Sequence, residues 1–112
     1  MDCVFCKIAA GEVPATVVHR DAGVVAIEDL NPQAPTHLLV MPIRHHTNVH
    51  DLTLEDASLA ARLVEVASKL GREHGGDDGF RLVVNTGRDG GQTVDHVHVH
   101  VLAGRRMEWP PG

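Results

Sequence analysis

The run His96-Val97-His98-Val99-His100-Val101-Leu102 alternates histidine with valine almost to its end. Successive side chains of a β-strand point to opposite faces, so the three histidines share one face and the valines the other. The valines suit burial against a core. The histidines then line the opposite face, spaced roughly 6.6 Å apart along the strand. Alternate polar residues are ordinary on a surface strand. Histidine has no special strand preference, however, so three in register point to chemistry rather than to solvation. The stretch predicts a strand over residues 94–102 and makes a sheet the frame of the fold.

Working outward, residues 86–92 hold Gly87, Gly90 and Gly91 and read as a tight turn, preceded by a strand over 80–85. A long helix comes before it. Thr53 with Asp56 three residues on is a capping-box pattern, and Glu55 and Asp56 suit the positive end of the helix dipole. Leu59, Leu63, Val66 and Leu70 form an apolar stripe at helical spacing. Arg62, Glu65, Lys69 and Arg72 lie opposite, with Glu65 and Lys69 as an i,i+4 pair, and Gly75-Gly76 ends the helix. Residues 36–41 read as a strand closed by Pro42, and Asn31-Pro32-Gln33-Ala34-Pro35 as a loop. Strands over 15–20 and 24–28 flank the turn Asp21-Ala22-Gly23. A short helical turn over 3–10 carries Val4, Phe5, Ile8 and Ala9, and Gly11 and Pro14 stop it. The tail Trp109-Pro110-Pro111-Gly112 is extended. The pattern predicts an α+β domain over 1–112: a mostly antiparallel five-stranded sheet, one long helix and a short N-terminal helix.

Composition bounds the function. At 112 residues, with 43% hydrophobic and 22% charged residues, the chain is one globular domain rather than a disordered segment. A net charge of −5 argues against non-specific binding to nucleic acid or to an acidic membrane. Aromatic residues are 3% and tyrosine is absent, so there is no stacking platform for single-stranded nucleic acid. No stretch approaches the roughly 20 apolar residues of a membrane span. The start Met1-Asp2-Cys3 carries no secretory signature, which sets the expectation of a cytoplasmic protein. Nine histidines are an abnormal number, and histidine titrates near neutrality, binds metals and shuttles protons.

Two chemical readings of the histidine face compete. A His-x-His pair on a strand can chelate a metal ion, as in all-β cupin-like barrels, but the long helix speaks against such a barrel. Alternatively, a neutral imidazole is a competent nucleophile at pH 7 and attacks phosphorus well. The turn that feeds the strand favours the second reading. Glycines let backbone N–H groups approach an anion closely, and Gln92 and Thr93 add side-chain donors.

HVHVHVL fits the His-φ-His-φ-His-φ-φ signature of the histidine triad superfamily, and the chain resembles that family along nearly its whole length. CVFCKIAAGEVPA is similar to its N-terminal segment, and EDLNPQAPTHLLVMP to its base- and ribose-binding strand–loop–strand. RLVVNTGRDGGQTV is similar to its phosphate loop. WPPG is similar to the tail of the branch of nucleotide-binding proteins that act as nucleoside phosphoramidases.

The resemblance implies hydrolysis of the P–N bond of purine nucleoside 5′-phosphoramidates through a nucleotidyl-histidine intermediate. By position, His98 is the nucleophile, its Nδ1 held by the His96 carbonyl, and His100 donates to the α-phosphate. Asp29 holds the ribose hydroxyls, and Ile27 and Leu30 flank the base. Asn85, Gly91, Gln92 and Thr93 contact the phosphate side. The branch is homodimeric with joined sheets, and Trp109 matches a tail residue that reaches the partner's site; the plain alternative is packing on its own subunit. Two positions depart from the pattern: Thr93 stands where relatives often have serine, and Asp95 where they often have an aromatic residue or proline.

Relatives with an N-terminal CxxC carry a Cys-Cys-His-His zinc site, which implies a structural zinc on Cys3, Cys6, His45 and His96. His46 directly follows His45, and the Pro42-x-x-His spacing favours His45. A metal-free buried CxxC and a redox pair are the alternatives, although no thioredoxin-like unit surrounds it. His19, His37, His50 and His74 are expected to have ordinary structural partners. Other functional readings stand beside the phosphoramidase: a dinucleoside polyphosphate hydrolase or nucleotidyl transferase, a non-catalytic nucleotide-binding adaptor, and a histidine metalloprotein.

Overall fold

A computed structural model describes residues 3–112; Met1 and Asp2, part of the start read above, lie outside the described residues. Strands β1 (Val17–Arg20), β2 (Val24–Glu28), β3 (Thr36–Pro42), β4 (Phe80–Val83) and β5 (Val99–Ala103) form one antiparallel sheet in the order β1-β2-β3-β5-β4. Helices α1 (Val4–Ala9), α2 (Val49–Glu55) and α3 (Ala57–Gly75) complete it. The α+β architecture read from the sequence is the observed one, with α2 as an addition. Among the described residues no helix is long and apolar enough to cross a membrane.

The two-residue period sorts the core into two layers. Val24, Ala26, Leu38, Val40, Val99 and Val101 pack against Leu63, Val66, Ala67 and Leu70 of α3. The intervening Val25, Ile27, Leu39 and Met41 pack on the other face against Phe5, Ile8 and Ala9 of α1. That is why β2 and β3 read as nearly continuous apolar runs: both of their faces are covered. A six-residue helix such as α1 has too few turns to persist alone. It is held by this packing and by the Arg20 guanidinium, which donates to the Ala9 carbonyl at 3.1 Å.

The ladder between β3 and β5 runs from Thr36 opposite Ala103 to Val40 opposite Val99, so β5 starts at Val99 rather than at residue 94. The chain before it leaves the sheet because β3 ends in Pro42, whose carbonyl is taken by the His96 ring instead (Nε2 to O 2.7 Å). The Val97 N–H turns to the His46 carbonyl at 2.8 Å. The alternation nevertheless persists off the ladder, with Val97 in the α3 layer. β4 likewise stops at Val83, opposite His100, and β1 begins at Val17, with a register irregularity between Val17 and His19.

The long helix does not start at Thr53. Thr53 lies inside α2, where its hydroxyl donates to the His50 carbonyl. Asn48 caps α2 by accepting from the Asp51 N–H at 2.8 Å. Asp56 breaks the chain with φ −156° and ψ 85° and caps α3 by accepting from the Leu59 N–H at 3.0 Å. The break lets α2 turn Leu52 into the same core as Leu63 and Val66. The expected Glu65–Lys69 pair is not formed either. Arg62 bonds Glu65, and Lys69 lies 4.0 Å from Glu73. Within α3, Gly71 stands where a Cβ would meet the Phe80 ring at 2.4 Å, so this glycine lets β4 close on the helix.

Asp21 ties the first hairpin to α3. Its Oδ1 accepts from the Gly23 and Val24 N–H groups, both at 2.9 Å. Its Oδ2 accepts from His19 at 2.9 Å and from the Arg62 guanidinium at 2.8 Å. These bonds, the His19 one foremost and the Gly23 N–H next, hold the Asp21 carboxyl well below the usual carboxylate range. Replacing Asp21 with Ala is expected to cost roughly 1–2 kcal/mol by urea unfolding at pH 7. A depressed carboxyl stabilises the fold above the unfolded pKa of about 4 and loses that contribution as pH falls below it. The difference between the two proteins should therefore shrink in acid.

Candidate active site and metal centre

The sheet face away from α3 carries the histidines, and their hydrogen bonds fix where each proton sits. His98 Nδ1 lies 2.8 Å from the His96 carbonyl oxygen. A carbonyl only accepts, so Nδ1 carries the proton and Nε2 is a bare lone pair. The ring is buried and meets Phe5 edge-on at 5.0 Å between centroids.

His37 is arranged in the opposite sense. The Gln33 N–H donates to its Nδ1 at 3.0 Å, so its proton sits on Nε2. That Nε2 lies 2.9 Å from His100 Nδ1 and donates to it, which leaves the His100 proton on Nε2. Asp29 Oδ2 stands 3.4 Å from His37 Nε2, and Asp29 Oδ1 accepts from the Asn31 N–H at 2.8 Å. Burial, then the nearby His98 and His37, pushes His100 down to about 4, and burial also lowers His37 against the pull of Asp29. The tautomer set by the His96 carbonyl thus turns the Nε2 of His98 to the site. Beside it is His100, its ring centroid 5.0 Å from that of His98, with an N–H.

The second cluster gathers Cys3, Cys6, His45 and His96, whose ligand atoms all lie within 4.8 Å of one another. His96 Nε2 donates to the Pro42 carbonyl, so its Nδ1 is free to face the sulfurs, at 3.3 Å from Cys3 Sγ and 3.5 Å from Cys6 Sγ. His45 Nδ1 is 3.4 Å from Cys6 Sγ. Zinc held about 2.3 Å from sulfur and 2.0–2.1 Å from nitrogen separates its ligands by roughly 3.3–3.8 Å, so the set fits a tetrahedral structural zinc. Burial, then the Cys3 thiol beside it, pushes the Cys6 thiol up, and a cation among the four donors reverses that.

Of the adjacent histidines, His45 belongs to this cluster. His46 Nδ1 is bonded to Glu55 at 3.0 Å, and its Nε2 is the one buried side-chain polar atom without a partner among the described residues. Asp29, His37 and His100 also bring three ligand atoms within 4.8 Å. The Gln33 N–H on His37 Nδ1 keeps a proton on the very nitrogen that would bind, so this set is a hydrogen-bond chain rather than a ligand set.

The remaining residues named from the sequence are more scattered. Ile27 is buried in the α1-side core, whereas Leu30 is 99% exposed. Asn85 follows β4, and Gly91 adopts φ 81°, a left-handed conformation that favours glycine. The Gln92 amide is engaged by main-chain groups of its own loop and of the segment before α2: Oε1 accepts from the Gly87 N–H, and Nε2 donates to the Val94 and Thr47 carbonyls. Thr93 opens on a groove it shares with Cys3, His45 and Asp95. Trp109 is 83% exposed beside Val84, Asn85 and Gly90. Sequence reasoning missed His37 and Phe5. The signal for His37 was register: Leu39 pairs with His100, and His37 lies two residues along the same face of β3.

A family model of the HIT domain matches residues 10–107. The chain is 48% identical to the crystal structure of a HIT family hydrolase from Legionella pneumophila Philadelphia 1, with a TM-score of 0.94 over 99% of this chain and 100% of that one. It is 43% identical to a histidine triad protein from Clostridium difficile, with a TM-score of 0.90 over 96% of this chain and 95% of that one. It is also 42% identical over 111 residues to a 14 kDa zinc-binding protein of Zea mays, covering 97% of this chain and 87% of that protein.

Metal analysis of the purified protein is expected to find one zinc per chain. Cys6→Ser should lose it at a chelator concentration that leaves the native chain loaded. His100 should stay neutral down to about pH 5, which a proton NMR titration of its ring reads directly. An unfolded histidine titrates near 6.5, so holding His100 neutral lowers stability progressively as pH falls from about 6.5 to about 4. His100→Asn should accordingly gain stability relative to the native chain between pH 7 and 5.

Proposed function

This chain belongs to the histidine triad (HIT) family, and on that footing we propose that it binds purine nucleotides and hydrolyses the P–N bond of nucleoside 5′-phosphoramidates. One observation carries the reading: the bare Nε2 of His98 beside the N–H of a neutral His100. A lone pair and a donor side by side are what attack at phosphorus requires, one to form the new bond and one to hold the phosphoryl oxygen.

His98 Nε2 attacks the α-phosphorus as the P–N bond breaks, and the amine leaves with a proton drawn from solvent, which the later hydrolysis of the intermediate returns. The nucleotidyl-histidine that remains is split by water, which releases the nucleoside monophosphate. As His98 becomes cationic, the His96 carbonyl accepts from its Nδ1–H and steadies the charge. His100 keeps its donor on Nε2 because His37 occupies Nδ1. Asp29 takes the ribose hydroxyls, with Ile27 and Leu30 at the base. Asn85, Gly91 and Thr93 meet the phosphate side, on a loop that Gln92 braces. Cys3, Cys6, His45 and His96 would hold a zinc ion, which would lend cohesion to the N-terminal segment and supply no reacting atom.

The active form in this reading is a cytoplasmic homodimer with joined sheets. β4 ends the sheet order, and Phe80, Val84 and Trp109 are exposed near that edge, which supports pairing there. The test is hydrolysis of an adenosine 5′-phosphoramidate bearing a fluorescent amine. His98→Ala, folded by circular dichroism, should lose at least about a hundredfold in rate. No turnover by the native chain would move the weight to polyphosphate hydrolysis or to binding alone. Equal rates would mean that His98 is not the nucleophile.

A further inference from the structure

Phe5 lies between the two thiols in sequence, on the first turn of α1, and is buried. Its ring stands nearly perpendicular to two histidines at once: His98 at 5.0 Å and 86°, and His96 at 5.9 Å and 78°. His96 is itself held at both ends of its ring, by the sulfurs at Nδ1 and by the Pro42 carbonyl at Nε2. Its own carbonyl is the acceptor for His98 Nδ1. Two separate contacts thus run from the cysteine turn to the His98 imidazole, one through a side chain and one through the main chain.

We propose that the Cys3–Cys6 turn positions the His98 ring: with Cys3, Cys6, His45 and His96 clamped together on zinc, Phe5 and the His96 carbonyl hold the imidazole in the plane and tautomer that leave Nε2 free. The proposal rests on the reading of His98 as the nucleophile. The buried His98 ring has one hydrogen bond, at Nδ1, and is bounded by His100 and by Phe5, which meets it in a T-shaped contact at 5.0 Å and so limits its rotation from the α1 side. Phe5 can serve as a stop only if its turn is fixed. That turn opens a six-residue helix whose N-cap is Cys3, its sulfur accepting the Cys6 N–H at 3.3 Å. The same sulfur faces the metal position, so the clamp and the cap are one group. Phe5 and His96 are positioning residues here, acting through His98.

Phe5→Leu keeps apolar bulk and all four metal ligands but removes the flat edge. In the zinc-loaded protein it should lower kcat about tenfold, as loss of an orienting neighbour commonly does. The loss should be read at saturating phosphoramidate, which separates it from any change in nucleotide binding beside Ile27. Long-range proton–nitrogen NMR of the His98 imidazole should change from one tautomer, protonated at Nδ1, to a mixture. Zinc removal by chelator should give the same mixture. Native kcat together with a single His98 tautomer in Phe5→Leu would overturn the proposal, and that variant decides the matter even if the metal-free chain unfolds. If the native chain turns over no phosphoramidate, the functional reading fails while the NMR comparison still tests the coupling.

Discussion

The antiparallel pairing of β3 with β5 is the constraint on which the other relations in the molecule depend. It places Val40 beside Val99 and so points the valines of both strands at α3. By the same register it sets Leu39 opposite His100 and brings His37 to within 2.9 Å of that ring. It ends at Val40 opposite Val99, and beyond it the Pro42 carbonyl is taken by the His96 ring rather than by a further rung of the ladder. A one-residue slip would send the histidines into the apolar layer and the valines to the polar face. Core and chemistry are therefore specified by one ladder.

Within that frame each histidine takes its task from what its other nitrogen touches. A carbonyl at Nε2 makes His96 a ligand at Nδ1. A carbonyl at Nδ1 leaves His98 bare at Nε2. A backbone N–H at Nδ1 makes His37 a donor at Nε2 and bars it from metal binding. Identical side chains within a few ångströms thus do three different things, and main-chain groups from different elements decide which.

This also marks what could be read without coordinates. The strand histidines, the apolar stripe of α3 and the CxxC were legible because each follows a local period or spacing. Strand ends were not, because β5 begins where β3 runs out of partners, which is a property of another segment. The helix start went to Asp56 rather than Thr53 because Leu52 had a core to enter, and no local pattern records that. His37 looked ordinary for the same reason: its partner is 63 residues away. Gly71 had no evident purpose until Phe80 lay against it.

The brace made by Gln92 has one more consequence. Its amide ties the glycine-rich loop, at Gly87 and at Val94 just beyond it, to Thr47 in the segment between β3 and α2. Such a loop ordinarily loses conformational freedom when an anion arrives, and that loss weakens binding. Here the ordering was completed during folding. On the proposed function, an incoming phosphate would meet a loop already held by these bonds, and the entropy of ordering it would be charged to the stability of the protein rather than to its affinity.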